Sequence, residues 1–129
     1  MKLQPSLLAA AILLSASGIL SLFLPDELAA MLGTSGAATN PMVMQFLGGA
    51  LFALGMLDWT SRFATIGGIY GRPVVITNLT FFFIATTTLA RRAIGTGGEL
   101  IAWSALAVCA LFAVWFARIM FGPPPGAAS

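Results

Sequence analysis

Four long apolar blocks, separated by short polar breaks, occupy most of this chain of 129 residues. The blocks cover about residues 7–24, 42–59, 74–90 and 100–121. As helices they would be about 25–33 Å long, close to the 30 Å or so of a bilayer's hydrocarbon core. They lack the alternating polarity of barrel strands. We therefore predict an all-α fold, a four-transmembrane-helix bundle forming a single integral membrane domain over residues 1–129.

Charge is too scarce for a water-soluble surface. The chain has only 6 Lys and Arg and 4 Asp and Glu residues, and 59% of its residues are hydrophobic. A soluble domain carries about 25–35% charged residues on its surface. The net charge of +2 is also too small for a nucleic-acid surface. We expect membrane lipids as partners and no nucleic acid.

The first block resembles a signal peptide in one respect, since Lys2 precedes it. Its apolar run is longer than the 7–15 residues or so of a signal-peptide core, so we expect a retained span. Pro25 is expected to stop this helix. Residues 26–33 then predict a short interfacial helix, with Asp26 as its N-terminal cap and Gly33 closing it.

Small residues are placed where helices could pack closely. Ala11, Ser15 and Gly18 share one face of the first helix. On the second span we expect a groove formed by small residues and including the pair Gly49 and Ala53. The groove residues are Gly48, Gly49, Ala53 and Gly55.

Catalytic chemistry has few residues to use. The sequence contains no histidine, and Cys109 is its only cysteine. No paired carboxylates occur within a span, so we find no evident base, nucleophile or metal-ligand set. We expect no catalytic residues, no metal, no cofactor and no enzymatic activity.

Five polar residues are candidates for a site, because polar side chains near membrane spans are costly. Asp58, Arg62, Arg72, Asn78 and Arg118 would all lie toward the cytoplasmic side. Together they could bind an anionic lipid headgroup or an acidic partner surface. The alternative interpretation is a set of arginines that extend independently to water, with Asp58 and Arg62 paired along one helix.

Other polar and aromatic residues of the third span favour structural roles. Thr86, Thr87 and Thr88 are expected to bond to carbonyl oxygens of their own helix. The consecutive rings at 81–83 point in three directions, which is typical of lipid contact and core packing.

Residues 23–28 and 46–59, together with Arg62, resemble small four-helix inner-membrane proteins of bacteria. Arg91 and Arg92 extend the resemblance. It implies a multi-pass protein of the inner (cytoplasmic) membrane and brings no established activity. Small multidrug transporters share the size and helix count, but they have a membrane-embedded glutamate in the first helix that this chain lacks.

These features predict a non-enzymatic accessory, assembly or stabilising subunit of a larger membrane complex. Self-association is the other form of partnership that we expect. The alternative function is transport or binding of a small hydrophobic or anionic molecule, for which a homo-oligomer is one form. That function predicts a water-accessible cavity lined by Asn78, Thr77 or Gln45.

The distribution of basic residues predicts that both termini face the cytoplasm, since the cytoplasmic side is the one enriched in Lys and Arg. A cysteine introduced at Ser35 should react with an impermeant reagent added outside the cell, and one at Ser129 should not. Cys109 is replaced by alanine in both variants. The reverse labelling pattern would show that both termini face the outside of the cell. The inner residues are Lys2, Arg62, Arg72 and Arg118, and the outer ones Arg91 and Arg92.

Overall fold

The computed structural model describes residues 3–31, 40–65, 68–96 and 100–122. These residues form five α-helices and no strand. Four of the helices are long and apolar enough to cross a membrane, which fits a multi-pass membrane protein and confirms the all-helical class. The helices are α1 (Gln4–Phe23), α2 (Pro25–Met31), α3 (Pro41–Thr60), α4 (Gly71–Thr96) and α5 (Leu100–Phe121).

Two of the long helices, α3 and α4, extend beyond both ends of the apolar blocks that predict them. α4 continues past Arg91 and Arg92 to Thr96, although the apolar block ends at residue 90. Arginine is a good helix former. The two arginines therefore end the apolar run, but the helix continues through them. Hydropathy therefore locates the segment that fits the hydrocarbon, while backbone hydrogen bonding decides where the helix ends.

α2 begins one residue earlier than expected. Pro25 is its first residue, a position where the missing N–H of proline costs nothing. The prediction that Asp26 caps this helix is wrong, because Asp26 lies inside the first turn. Its carboxylate still lies near the positive end of the helix dipole. Gly33, expected to close the helix, lies outside the described residues.

Asn40 caps the start of α3. Its side-chain Oδ1 accepts a hydrogen bond from the backbone N–H of Met42 at 2.9 Å, and Pro41 occupies the first helical position. At the other end, the N–H of Ser61 donates to the carbonyl oxygen of Leu57. Both ends of α3 thus use local hydrogen bonds to satisfy backbone groups that the helix leaves open.

The chain divides into two compact units. The first, Pro5–Arg62, contains α1, α2 and α3, apart from the first residue of α1. The second joins Met1–Gln4 to Phe63–Ser129 and contains α4 and α5. The single-domain organisation stays a prediction.

In the first unit, α1 and α3 touch through glycine. A Cβ atom placed on Gly18 would lie 2.7 Å from the carbonyl oxygen of Gly48 and 2.7 Å from the amide nitrogen of Phe52. A Cβ on Gly48 would lie 2.8 Å from the carbonyl oxygen of Gly18. The two backbones can approach this closely only because neither residue has a side chain.

Gly55 extends the same contact along α3. A Cβ atom there would meet the side chain and the backbone nitrogen of Ser15, and it would lie 3.1 Å from the carbonyl oxygen of Ala11. Early residues of α1 therefore meet late residues of α3, so the two helices run antiparallel. The predicted face of α1, with Ala11, Ser15 and Gly18, is confirmed as its contact with α3.

Gly49 and Ala53 do not belong to this contact, and the expectation that they share one helix-packing groove with Gly48 and Gly55 is wrong. Both residues are exposed, and a Cβ atom on Gly49 would meet nothing within 4 Å. Because each residue turns about 100° around a helix axis, Gly49 points well away from Gly48. Of the two neighbouring glycines, only Gly48 faces α1.

Phenylalanine rings join α4 to α5 in the second unit. Phe82 stacks on Phe112 with ring centroids 4.8 Å apart, and on Phe116 at 6.1 Å. Phe82 and Phe116 are both fully buried. Phe81 is half-buried and Phe83 is exposed, which confirms that the three consecutive rings point in different directions.

The glycine contact makes a stability prediction. Gly18→Ala or Gly48→Ala should lower the free energy of unfolding by about 1–3 kcal/mol, the usual cost of forcing extra atoms into a packed interface. Gly49→Ala is the matched control. It adds the same methyl group to the same helix in open space, so it should be neutral or stabilise by up to about 1 kcal/mol. Denaturant unfolding in detergent measures all three, and equal losses at Gly48 and Gly49 would contradict the assignment.

Candidate functional site

The five candidate residues belong to different units. Asp58 and Arg62 belong to α3 and the turn that follows it, in the first unit. Arg72 and Asn78 on α4, and Arg118 on α5, belong to the second. Their convergence on one site stays a prediction.

Asp58 is the only carboxylate within the four long helices, and its side chain is fully buried. It lies in the last turn of α3, half a turn before the helix ends at Thr60. Burying a carboxylate costs several kcal/mol unless charges or hydrogen bonds compensate for it. An ionisable residue in such a place within a membrane span is a functional candidate by default.

Arg62 is held by Trp59. Its Nη1 donates a hydrogen bond of 2.6 Å to the carbonyl oxygen of Trp59, and its guanidinium carbon lies 4.3 Å from the centre of the Trp59 ring. This combines a charge-assisted hydrogen bond with a cation–π contact. Trp59 is 44% exposed, so the pair presents an aromatic and cationic surface at the end of α3.

The spacing along the sequence predicts Asp58 as the partner of Arg62, and the contact of Arg62 with Trp59 was not among the predictions. The spacing of three residues between Trp59 and Arg62 was the available signal, because residues three apart lie on one side of a helix. The pairing of Asp58 with Arg62 stays a prediction.

Asn78 is fully buried in α4, and its Nδ2 donates to the carbonyl oxygen of Val74 at 3.0 Å. Arg72 and Arg118, by contrast, have exposed side chains. The second unit therefore contributes two accessible cations and one buried amide. The two cations can interact with anions outside the protein without any rearrangement of a packed core.

Several hydroxyl groups bond to their own helices. Thr77 donates to the carbonyl oxygen of Pro73, Thr86 to that of Phe82, and Thr87 to that of Ile84, at distances of 2.7–2.9 Å. The prediction of intrahelical bonding is confirmed for Thr86 and Thr87. These hydrogen bonds place each hydroxyl against its own backbone.

Gln45, the third residue named for a transport cavity, lies on the exposed side of α3. It lines a shallow groove of about 470 Å³ whose other lining residues are apolar or glycine. This groove is a surface feature of one helix. The lining residues are Met42, Gln45, Phe46, Gly49 and Ala50.

The chain matches no protein-family model, no curated protein sequence and no solved structure. The resemblance to four-helix inner-membrane proteins therefore stays a prediction.

The Trp59–Arg62 pair predicts a measurable coupling. A double-mutant cycle of Trp59→Leu and Arg62→Gln should give an interaction energy of about 0.5–1 kcal/mol in the free energy of unfolding. Phe46→Leu provides the control cycle with Arg62→Gln, because Phe46 is an exposed aromatic residue about 20 Å from Trp59 along α3. That cycle should be additive within about 0.5 kcal/mol. Additivity in both cycles would show that the ring contact contributes nothing.

Proposed function

We propose that this protein is a non-enzymatic accessory, assembly or stabilising subunit of a larger membrane protein complex. The observation that carries the proposal is the large apolar surface that the folded chain leaves exposed. On α3, Val43 is 62% exposed and Phe46 is 69% exposed. On α5, Leu111 is 69% exposed. Such surfaces can contact lipid or the helices of a neighbouring protein.

The proposal includes the placement of the chain. The four long helices form a bundle in the inner membrane, with both termini in the cytoplasm and α2 at the membrane interface. α2 supports this placement through Asp26 and Glu27, which are exposed, and Leu28, which is half-buried. A short helix with polar and apolar sides suits the boundary between headgroups and hydrocarbon.

The charged residues supply the polar part of the proposed contact. In this proposal Asp58 orients Arg62, while Arg72 and Arg118 bind an anionic headgroup or an acidic partner surface. Exposure of Arg72 and Arg118 supports this role. Each cation near an anionic membrane surface contributes about 1 kcal/mol of attraction. Asn78 belongs to the proposed site as a buried polar residue of the same helix as Arg72.

Purification in a mild detergent tests the proposal. The tagged full-length protein should migrate on native electrophoresis above its monomer mass and bring a distinct membrane protein with it in mass spectrometry. The double variant Arg72→Gln/Arg118→Gln should lose much of that partner or of the co-purifying anionic lipid. Its control, Arg91→Gln/Arg92→Gln, removes the same charge and should retain both.

Two results would contradict the proposal. Migration of the wild-type protein solely as a free monomer, with no partner, would exclude the subunit role. Retention of partner and lipid by the Arg72→Gln/Arg118→Gln variant would show that these arginines only set the topology. Far-ultraviolet circular dichroism of each variant separates these results from a general loss of folded protein.

A further inference from the structure

Two adjoining grooves follow one side of α5. They share Val114, Trp115 and Arg118 as lining residues. One groove, of about 340 Å³, extends from Arg118 back to Ala107, and the other, of about 640 Å³, extends to Gly122 beyond the helix end. Both lie within the second unit, and Arg118 is the single charged residue among those that line them.

The groove back to Ala107 follows one face of the helix. Its lining residues recur at intervals of three and four, which places them in a row along α5. Phe112 and Phe116, which pack on α4, do not line it. Two alanines in this row leave space for the groove, and larger exposed side chains border the groove. The lining residues are Ala107, Ala110, Leu111, Val114, Trp115 and Arg118.

The length of this groove corresponds to one leaflet of a bilayer. Ala107 and Arg118 are about 16 Å apart along the helix axis, and half of a hydrocarbon core is about 15 Å. Arg118 lies in the last turn of α5, the part of a membrane-spanning helix that reaches the headgroups. Ala107 then lies near the bilayer midplane. The groove thus joins one cation at the membrane surface to an apolar track through one leaflet.

We propose that this groove is a binding site for one anionic glycerophospholipid. An acyl chain lies along the track from Trp115 to Ala107, and the lipid phosphate contacts the guanidinium of Arg118. Arginine suits this role because its planar donors match the geometry of phosphate oxygens. Trp115 is 48% exposed one turn deeper than Arg118, where an indole ring can lie between headgroup and chain.

The charge complementarity favours an anionic lipid over a second copy of the chain. An apolar helix of a partner would cover the track and would leave Arg118 without a counter-charge. In a lipid, the phosphate supplies that counter-charge and the acyl chain covers the apolar track. The inference deepens the proposed lipid contact of Arg118, and it does not depend on the proposed partner complex.

Lipid titration of the purified full-length protein tests whether the charge of Arg118 contributes to lipid binding. Native mass spectrometry should show tighter binding of phosphatidylglycerol than of phosphatidylcholine with the same acyl chains. Arg118→Gln should weaken phosphatidylglycerol binding about fivefold, the equivalent of about 1 kcal/mol for one cation at the interface. Binding of phosphatidylcholine should weaken less, because its choline cation offsets the charge of the phosphate that Arg118 contacts. Arg91→Gln, which removes an exposed arginine from α4, is the charge control and should change neither affinity.

Filling the groove tests the apolar track. Ala107→Phe should weaken binding of both lipids, because the added ring occupies the path of the chain. Ala53→Phe places the same ring on an exposed position of α3 and should leave both affinities unchanged. Trp115→Leu should weaken phosphatidylglycerol binding more than Trp103→Leu does. These two tryptophans are on the same helix and are 48% and 47% exposed.

Three results would overturn the inference. Equal effects of Arg118→Gln and Arg91→Gln would show that net charge, and not a site, attracts the lipid. Unchanged lipid affinity in Ala107→Phe would show that no chain lies in the groove. Loss of a dimer in Ala107→Phe, with lipid binding retained, would assign this face to a second copy of the protein. None of these three results affects whether a partner protein co-purifies. The lipid-site inference and the proposed subunit role can therefore be refuted independently.

Discussion

Backbone hydrogen bonding without water is the constraint on which the rest of this structure depends. An unpaired N–H or C=O group inside a bilayer costs several kcal/mol, so every span is a continuous helix. The hydroxyl groups follow the same rule. Ser17 and Ser21 on α1, like Thr77 and Thr86 on α4, donate to carbonyl oxygens of their own helices. With backbone and hydroxyl groups satisfied locally, contacts between helices rely largely on shape and on a few charges.

The helices of the two units pack through different kinds of residue. α1 and α3 approach each other because Gly18 and Gly48 have no side chains, and their backbones are in direct contact. α4 and α5 contact each other through the stacked rings of Phe82, Phe112 and Phe116. Lipid provides little hydrophobic drive for either contact. Van der Waals packing therefore supports both contacts, through bare backbone in one unit and through aromatic rings in the other.

Among the residues that the structure describes, every charged side chain except that of Asp58 is exposed or half-buried. Arg62 lies against the ring of Trp59, and Arg118 lies at the end of an apolar groove beside Trp115. Both pairs have a spacing of three residues, and both lie near the C-terminal end of a long helix. Arginine and tryptophan are suited to this boundary because each combines a polar group with a large apolar or planar surface. Asp58 is the exception, since its carboxylate is buried.

By itself the sequence determined the number, type and approximate limits of the long helices, since an apolar run of this length has few other stable forms in a membrane. It also indicated the packed face of α1 from the spacing of Ala11, Ser15 and Gly18. Only the tertiary structure decided that Gly48 rather than Gly49 meets α1, that Arg62 contacts Trp59, and that Phe82 alone of three consecutive rings stacks on α5. These choices depend on the relative rotation of neighbouring helices. That rotation is set by the fit of whole surfaces, which residue spacing along one helix does not contain.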